Sequence, residues 1–400
     1  MPHPRHPRVL IIVQNLPVPF DRRVWLECQA LVGAGYGVSV ICPKGKGDPS
    51  YQALDGVRIH KYAPPPVTTG TLSFFYEFAY CWLATFWLTL KIARTDGFDV
   101  IQACNPPDTF FLIGLLFKLF GKKFVFDQHD LCPELFESRG DGHNRLLHRA
   151  LLWLERGTYA TADHVIATNE SYRLTAFRRG HKRAGEVTIV RTGPDPEKLR
   201  RGDAHLEHRR GREHLVVYIG VMGPQDGVDY ALRAAAHLVH VMGRTDVSFT
   251  MIGKGDAFDD LVALARELDV DDYVLFTGRA PDELVAELMS TADLGLSPDP
   301  KNALNDVSTM NKTMEYMAYE LPVVAFDLVE TKVSAGDAAV YVEPNMVDRY
   351  AEAIADLLDD RSRRILMGKY GRDRVENVLA WRISAEHYLG VYERLLGRAG

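Results

Sequence analysis

Asn305–Asp327, NDVSTMNKTMEYMAYELPVVAFD, decides how the chain is read. It parses into a polar loop, a helix from about Ser308 to Tyr319, a turn at Leu321–Pro322 and a continuous apolar strand, Val323–Phe326. A helix feeding through a short turn into a fully apolar strand is one repeat of a parallel sheet covered on both faces. Ser308 is expected to cap the helix, because its hydroxyl can accept from a first-turn amide. Met310, Met314 and Met317 serve the packed face. Lys312 and Glu315, three apart, share another. An ammonium beside a carboxylate at a helix start suits a ligand bearing both phosphate and hydroxyls, and the amides and dipole there add to it. The same spacing also describes a surface ion pair worth a few tenths of a kcal/mol. Spacing alone leaves both readings open.

Working outward, the same pattern recurs along the chain. Apolar runs stand at Val9–Val13, Val38–Ile41, Val100–Ala103, Phe124–Asp127, Val165–Thr168 and Val187–Val190. A second series stands at Leu215–Ile219, Ser248–Ile252, Tyr273–Thr277, Leu294–Ser297, Val323–Phe326 and Ala339–Val342. Helical stretches such as Arg23–Ala34 and Leu261–Leu268 lie between them and complete βαβ units. The pattern runs twice, which predicts an α/β protein of two doubly wound, Rossmann-like domains facing across a cleft. The expected boundaries are 1–194 and 214–380, joined by a polar linker at 195–213 and followed by 381–400. Ligands of such folds sit at the carboxyl ends of strands, and the natural site of a two-domain chain is the cleft.

The composition is ordinary for a globular protein of 400 residues, 46% hydrophobic and 25% charged. A formal net charge of −6 argues against a nucleic-acid partner. The segment Arg139–Arg212 is nevertheless crowded with Arg, Lys and His, and could face an anionic acceptor or a membrane, or be a solvated surface. All five cysteines (Cys28, Cys42, Cys81, Cys104, Cys132) lie in the first third, without CxxC or cysteine–histidine spacing. Buried, reduced thiols of a cytoplasmic protein are expected. The N-terminal MPHPRHPRVLIIVQN reads as a first strand and not as a signal peptide.

Two segments bear on membranes. Leu72–Leu90, LSFFYEFAYCWLATFWLTL, has Glu77 as its single charge and the length of a span. The strand-like runs on either side belong to one sheet, and Trp82 and Trp87 are interior to the segment, so a buried helix is expected first and a lipid-exposed one second. Thr109–Phe126 contains an apolar helix ending in Lys118, Lys122 and Lys123. It could rest on an anionic bilayer as a peripheral contact, or be a core helix with a favourable basic end.

Loops at the predicted strand ends supply the polar groups. Asn15–Arg23, carrying Asp21 and Arg22, follows the first strand. NPPD, Asn105–Asp108, follows the third, and DQHDLCPE, Asp127–Glu134, the fourth. In the second half GVMGPQDG, Gly220–Gly227, precedes GKG, Gly253–Gly255, and then Gly278–Arg279. The glycines would let backbone approach a ligand. None forms a Walker A loop or a GxGxxG fingerprint. His129 could bond a sugar hydroxyl or a phosphate, or a loop carbonyl. Asp130 and Glu134 could cap the next helix or position His129, and their spacing with Asp127 matches no metal site.

These segments together resemble a family-4 retaining glycosyltransferase of GT-B architecture over nearly the whole chain. The likeness is carried by DRRVWLECQALVGAGYGVSVICP, HDLCPE, ADHVIATNES, YIGVMGPQDGVDYALRA, FTGRAPDELVAELMSTADLGLSP and NKTMEYMAYELPVVAFD. Trp381–Leu396 resembles the terminal helices that cross back to the first domain. The resemblance implies a nucleotide-sugar donor held by the second domain and a glycan or lipid-linked acceptor held by the first. Glu315 falls at the ribose-binding position, Gly278 and Arg279 where backbone meets the base, and His129 near the transferred sugar. Asp21, Arg22, Asp130 and Glu134 fall on the acceptor side. No metal and no cofactor beyond the donor itself are expected.

The chain departs from the family pattern at Val307, where many relatives carry the first glutamate of EX7E. It departs again at Val221 and Asp226, where many carry an arginine and a lysine. A subgroup with Ser308, Asn311, Lys312 and Glu315 in this arrangement resembles it better. Charge on the leaving diphosphate is then expected to meet Lys312 first, with Lys254, Arg279 and the backbone around Gly223, Thr309 and Asn311 in support. A nucleotide-sugar epimerase and a non-catalytic sugar-nucleotide-binding subunit are the alternatives.

Overall fold

The computed structural model describes residues 6–65, 71–138 and 144–397, with 71–75 described as backbone. The first five residues of the N-terminal run, and 139–143 of the basic segment, lie outside them. The chain folds as two compact units, Met1–Arg191 with Ser384–Gly400, and Thr192–Ile383.

The first unit comprises β1 (Arg8–Ile12), α1 (Arg22–Gly33), β2 (Gly37–Pro43), β3 (Tyr51–Leu54), β4 (Val57–Tyr62), α2 (Thr71–Thr95) and β5 (Val100–Cys104). It continues with α3 (Phe111–Lys118), β6 (Lys123–Gln128), α4 (Cys132–Phe136), α5 (Arg145–Thr161), β7 (His164–Ala167), α6 (Glu170–Arg178) and β8 (Val187–Ile189). The sheet order is β3-β4-β2-β1-β5-β6-β7-β8. Every pairing is parallel except β3 with β4. That hairpin is not among the predicted runs. Its signal is Asp55-Gly56, both at positive φ (45° and 82°), the primed turn that Asp-Gly favours. The alternation of β3 is that of a half-exposed edge strand, which a search for continuous apolar runs passes over.

The second unit comprises β9 (His214–Ile219), α7 (Val228–Ala236), β10 (Val247–Ile252), α8 (Phe258–Glu267), β11 (Val274–Gly278), α9 (Asp282–Thr291) and β12 (Leu294–Ser297). It continues with α10 (Asn311–Ala318), β13 (Val323–Phe326), α11 (Val329–Ala335), β14 (Ala339–Val342), α12 (Val347–Asp359) and α13 (Arg361–Arg374). The final helix is α14 (Trp381–Leu396). The second sheet is entirely parallel, in the order β11-β10-β9-β12-β13-β14. This is the doubly wound order that reverses direction between its first and fourth strands. Residues 195–213, expected as a linker, lie along α9: Arg201 donates to the carbonyls of Ser290 and Ala292, and the Gly202 amide to Ser290 Oγ.

Helix α2 corrects an expectation. Among its described side chains, one stripe, Cys81, Thr85, Thr89 and Ile92, is fully covered at helical spacing. Leu83 and Trp87, the latter 65% exposed, face outward, so the helix is not a buried one. Among the described residues, no helix is long and apolar enough to cross a membrane.

Candidate functional site

In the second unit the polar candidates gather where the sheet reverses. β9 and β12 pair over only two positions, Leu294 with Val216 and Gly295 with Val217. Beyond these, the Tyr316 hydroxyl enters between the strands, accepting from the Ile219 amide at 2.9 Å and donating to the Leu296 carbonyl at 2.9 Å. Gly295 makes room for it, since a Cβ there would lie 2.4 Å from the Tyr316 ring. Tyr316 therefore opens the sheet at the point where ligands of doubly wound folds bind.

Lys312 projects into this place from α10. It is 9% exposed, with its Nζ 2.5 Å from Oδ1 of Asp299, itself 1% exposed. Oδ2 of Asp299 accepts from Ser297 Oγ at 2.7 Å. The ammonium also lies 5.2 Å from the centroid of the Tyr218 ring. Burial would lower the Lys312 pKa, but Asp299 and Asp226 outweigh it and hold the group above its ordinary value. Lys312 is thus neither a surface lysine nor the simple ion-pair partner of Glu315. Its carboxylate partner is Asp299, which sequence spacing could not identify. Glu315 lies one turn further along α10 and is partly exposed.

Ser308 does not cap the helix. α10 starts at Asn311 with Met310 as its cap residue, and Ser308 Oγ donates to the Leu304 carbonyl at 2.8 Å. Thr309 is partly buried and Asn311 exposed. The Gly223 amide donates to Asp226 Oδ2 at 2.9 Å, so the acid at the departed position closes its own loop. The glycines bring loop to loop: a Cβ on Gly253 would lie 1.9 Å from the Gly220 carbonyl oxygen, and one on Gly255 2.5 Å from that of Met222. Lys254 is exposed, with its Nζ 5.4 Å from the Phe258 ring centroid. Gly278 takes a left-handed φ of 65° at the end of β11, and Arg279 beside it is exposed.

In the first unit, His129 follows β6, and its Nε2 lies 2.7 Å from Asp127 Oδ2. Its partner is thus a carboxylate and not a loop carbonyl. Its backbone amide donates to Asn105 Oδ1 at 2.7 Å, tying the loops after β5 and β6 together. Asp127 is fully buried and also receives Arg23, Nη2 to Oδ1 at 2.7 Å. Burial alone would raise the Asp127 carboxyl, but Arg23 and His129 hold it well below the usual carboxylate range. In the sequence Asp127 was weighed only as a metal-ligand candidate, and neither Arg23 nor their pairing was singled out: Arg23 looks like any basic residue at a helix start, and its burial needs the fold. Asp21 caps α1, accepting from the Val24 amide at 3.1 Å, and Arg22 is exposed. Asp130 is held through its backbone by the Asn105 side chain. Neither Asp130 nor Glu134 supplies the α4 cap or the carboxylate on His129. The cap residue is Leu131, and Glu134 pairs with Arg179 at 2.8 Å.

Cys104, Asp127 and His129 are close enough to hold a cation. Their chemistry disfavours one. Arg23 already neutralises Asp127, and burial pushes the Cys104 thiol well above its ordinary pKa, away from the thiolate a metal needs.

Comparison with known proteins identifies the family. Residues 21–193 match the glycosyl transferase 4-like domain, and residues 213–360 match the glycosyl transferases group 1 family. The GDP-mannose-dependent alpha-(1-6)-phosphatidylinositol monomannoside mannosyltransferase of Mycobacterium tuberculosis is 29% identical over 228 residues, 54% of this chain and 58% of that protein. The alpha-D-kanosaminyltransferase of Streptomyces kanamyceticus is 28% identical over 254 residues, 61% of this chain and 63% of that protein. The matches thus span less than two thirds of each relative. The sucrose-phosphate synthase structure from Thermosynechococcus elongatus superposes with a TM-score of 0.77 at 19% identity, covering 99% of this chain and 100% of that one. With one glycosyltransferase domain matched in each half and the neighbour's fold shared throughout, the chain belongs to the family-4 glycosyltransferases of GT-B fold.

Proposed function

We propose that the protein is a retaining, metal-independent glycosyltransferase that moves a sugar from a nucleoside-diphosphate donor to a polysaccharide or lipid-linked acceptor. The observation that carries this reading is the buried Lys312 ammonium at the reversal point of the second sheet, with Glu315 one turn away. A fixed positive charge in a dry site stabilises charge developing on a diphosphate far more than one in water. Lys312 therefore replaces the cations missing at Val221 and Asp226, with Lys254, Arg279, Ser308, Thr309, Asn311 and the Gly278 backbone completing the donor site; the Gly223 amide, already bonded to Asp226, is not among them. Glu315 accepts from the ribose hydroxyls. In the first unit, His129 meets the transferred sugar, and Asp21, Arg22, Asp130 and Glu134 border the acceptor.

A screen of UDP, GDP, ADP and dTDP and their hexoses by thermal shift tests it. A donor at a hundred times its Kd stabilises by about 2.7 kcal/mol. Lack of protection by any of them would defeat the donor reading. Conversion of the protecting donor to a second sugar nucleotide without acceptor would favour an epimerase.

We further propose a place at the inner, cytoplasmic face of a membrane. α2, α3 and α5 each precede the next parallel strand to one side, so right-handed crossovers set them in one layer. Trp82 Nε1 bonds the Thr109 carbonyl ahead of α3, and Phe111 packs over Gly157 of α5. The outer side of this layer exposes Trp87, Leu115, Leu119 (82%), Phe120, Leu146 and Trp153 (71%). Exposed Lys91, Arg94, Arg149 and Arg156 accompany them. Large apolar groups ringed by cations complement an anionic bilayer. Of the three lysines expected there, Lys118 and Lys122 pair with Asp163 and Asp99. Flotation with phosphatidylglycerol vesicles should fail for Trp87→Ser/Trp153→Ser. Flotation equal to wild type would refute the contact.

A further inference from the structure

A buried chain of hydrogen bonds joins the terminal helix to His129 within the first unit. Tyr388 and Tyr392 of α14 both donate to Gln102 Oε1 on β5, Tyr388 at 2.7 Å. The two hydroxyls are 3.2 Å apart, and all three residues are buried. Their donation fixes which end of the Gln102 amide faces which way. The nitrogen must then point at the carboxylates. Nε2 donates to Glu27 Oε2 at 2.7 Å and to Asp127 Oδ2 at 3.1 Å. That Asp127 oxygen is also the one against His129 Nε2.

We propose that Gln102, locked by Tyr388 and Tyr392, is a positioning residue that sets the tautomer and the proton affinity of His129 through Asp127. The inference rests on the assignment of His129 to the transferred sugar and adds how that side chain is controlled. Two oxygens of phenols accept as well as donate, but an amide oxygen only accepts. With the tyrosine hydroxyls removed, Oε1 loses both donors that polarise the amide, and Nε2, still held by the two carboxylates, donates more weakly to the Asp127 oxygen that His129 shares. More negative charge is then left on that oxygen for the imidazole to meet, so the ring holds its proton more tightly.

The groups facing this point are Asp127 and Cys104, which close around His129, Arg23, which bonds both Asp127 oxygens, and Glu27, whose Oε1 is 3.2 Å from Arg23 Nε. Arg23 also donates to the Val190 carbonyl at 2.9 Å, which keeps it in place when the Gln102 bond weakens. The signal therefore passes to His129 and is not absorbed by movement of the arginine.

The test is ring nitrogen NMR on histidine-labelled full-length protein, with the His129 signals assigned by their loss in His129→Gln. In the wild type, Nε2 carries the proton of the neutral ring. In Tyr388→Phe/Tyr392→Phe the His129 titration midpoint should rise by roughly a few tenths of a pH unit, by weakening of the charge-assisted hydrogen bond from Gln102 to Asp127. Turnover of the donor found by thermal shift should fall several-fold with its KM unchanged. Single Tyr392→Phe, which leaves Tyr388 donating, should behave as wild type; if the double variant folds poorly, Gln102→Met, which removes the donor to Asp127 without adding charge, takes its place and should show a rise at least as large. An unmoved His129 midpoint in the double variant or in Gln102→Met would overturn the proposal even where thermal stability drops. Full activity of His129→Gln would instead remove the role of His129 on which the proposal stands.

Discussion

The buried pair Lys312–Asp299 separates structure from chemistry in one experiment. Lys312→Met deletes the ammonium and leaves the Asp299 carboxylate, 1% exposed, with Ser297 Oγ as its remaining described partner. Removing one member of a buried pair costs about 3–5 kcal/mol, because the other charge stays desolvated. For a unit of this size each kcal/mol moves the unfolding midpoint by about 2–4 °C, so a fall of about 6–20 °C is expected. Adding Asp299→Asn removes the orphaned charge, and Asn keeps an oxygen for Ser297. Lys312→Met/Asp299→Asn should therefore regain most of the lost stability. Turnover should not follow. The double variant still lacks the charge proposed to meet the leaving diphosphate, and loss of one such donor costs about a hundred- to a thousandfold in turnover. The assay pairs calorimetry with steady-state rates on the same preparations. Recovery of turnover together with stability would refute the reasoning, because Lys312 would then serve only to neutralise Asp299. Near-wild-type turnover of Lys312→Met would refute it more simply.

Three further outcomes follow from the same geometry. Gly253→Ala places a Cβ 1.9 Å from the Gly220 carbonyl oxygen at a φ of 134°, so the two loops must part; the second unit should lose about 2–3 kcal/mol in urea unfolding along with nucleotide protection, and an unchanged midpoint would contradict the contact. Tyr316→Phe leaves the Ile219 amide and the Leu296 carbonyl without the hydroxyl that bridges them, which should cost about 1–3 kcal/mol by the same measurement. Asp108 is pushed up by burial from 3.8 to about 6. Its folded form binds the proton more tightly than the unfolded form, so its contribution is complete below about pH 4 and is lost as pH rises through 6, roughly 3 kcal/mol in all. Asp108→Asn should flatten stability against pH across that window. Slope left at higher pH includes the contribution of Glu155, raised by burial to about 8, and of Glu27, also raised by burial. A slope equal to wild type from pH 4 to 6 would show that Asp108 ionises normally.

Continuous apolar runs made all strands but two legible before any coordinates, because a strand covered on both faces can carry little else. The Tyr51–Tyr62 hairpin escaped because an edge strand alternates, although Asp55-Gly56 announced its turn. The length and apolarity of α2 were plain as well, but which face is covered depended on the neighbours it meets, and Trp87 proved to be outside. Motif likeness pointed to Lys312, Glu315 and His129 as candidates. It did not show that Ser308 bonds backwards to Leu304, or that the Gly223 amide is spent on Asp226.

The amino-acid order by itself thus determined two largely parallel α/β sheets, the positions of all their strands but the β3–β4 pair, and the family, since these depend on periodicity and local spacing. Only the tertiary structure decided which charges face which. Lys312 meets Asp299 thirteen residues away, and Arg23 meets Asp127 across 104 residues. Tyr388 reaches Gln102 across 286. Such partners are brought together by strand order and desolvated by packing, and neither quantity is written in the spacing of residues along the chain.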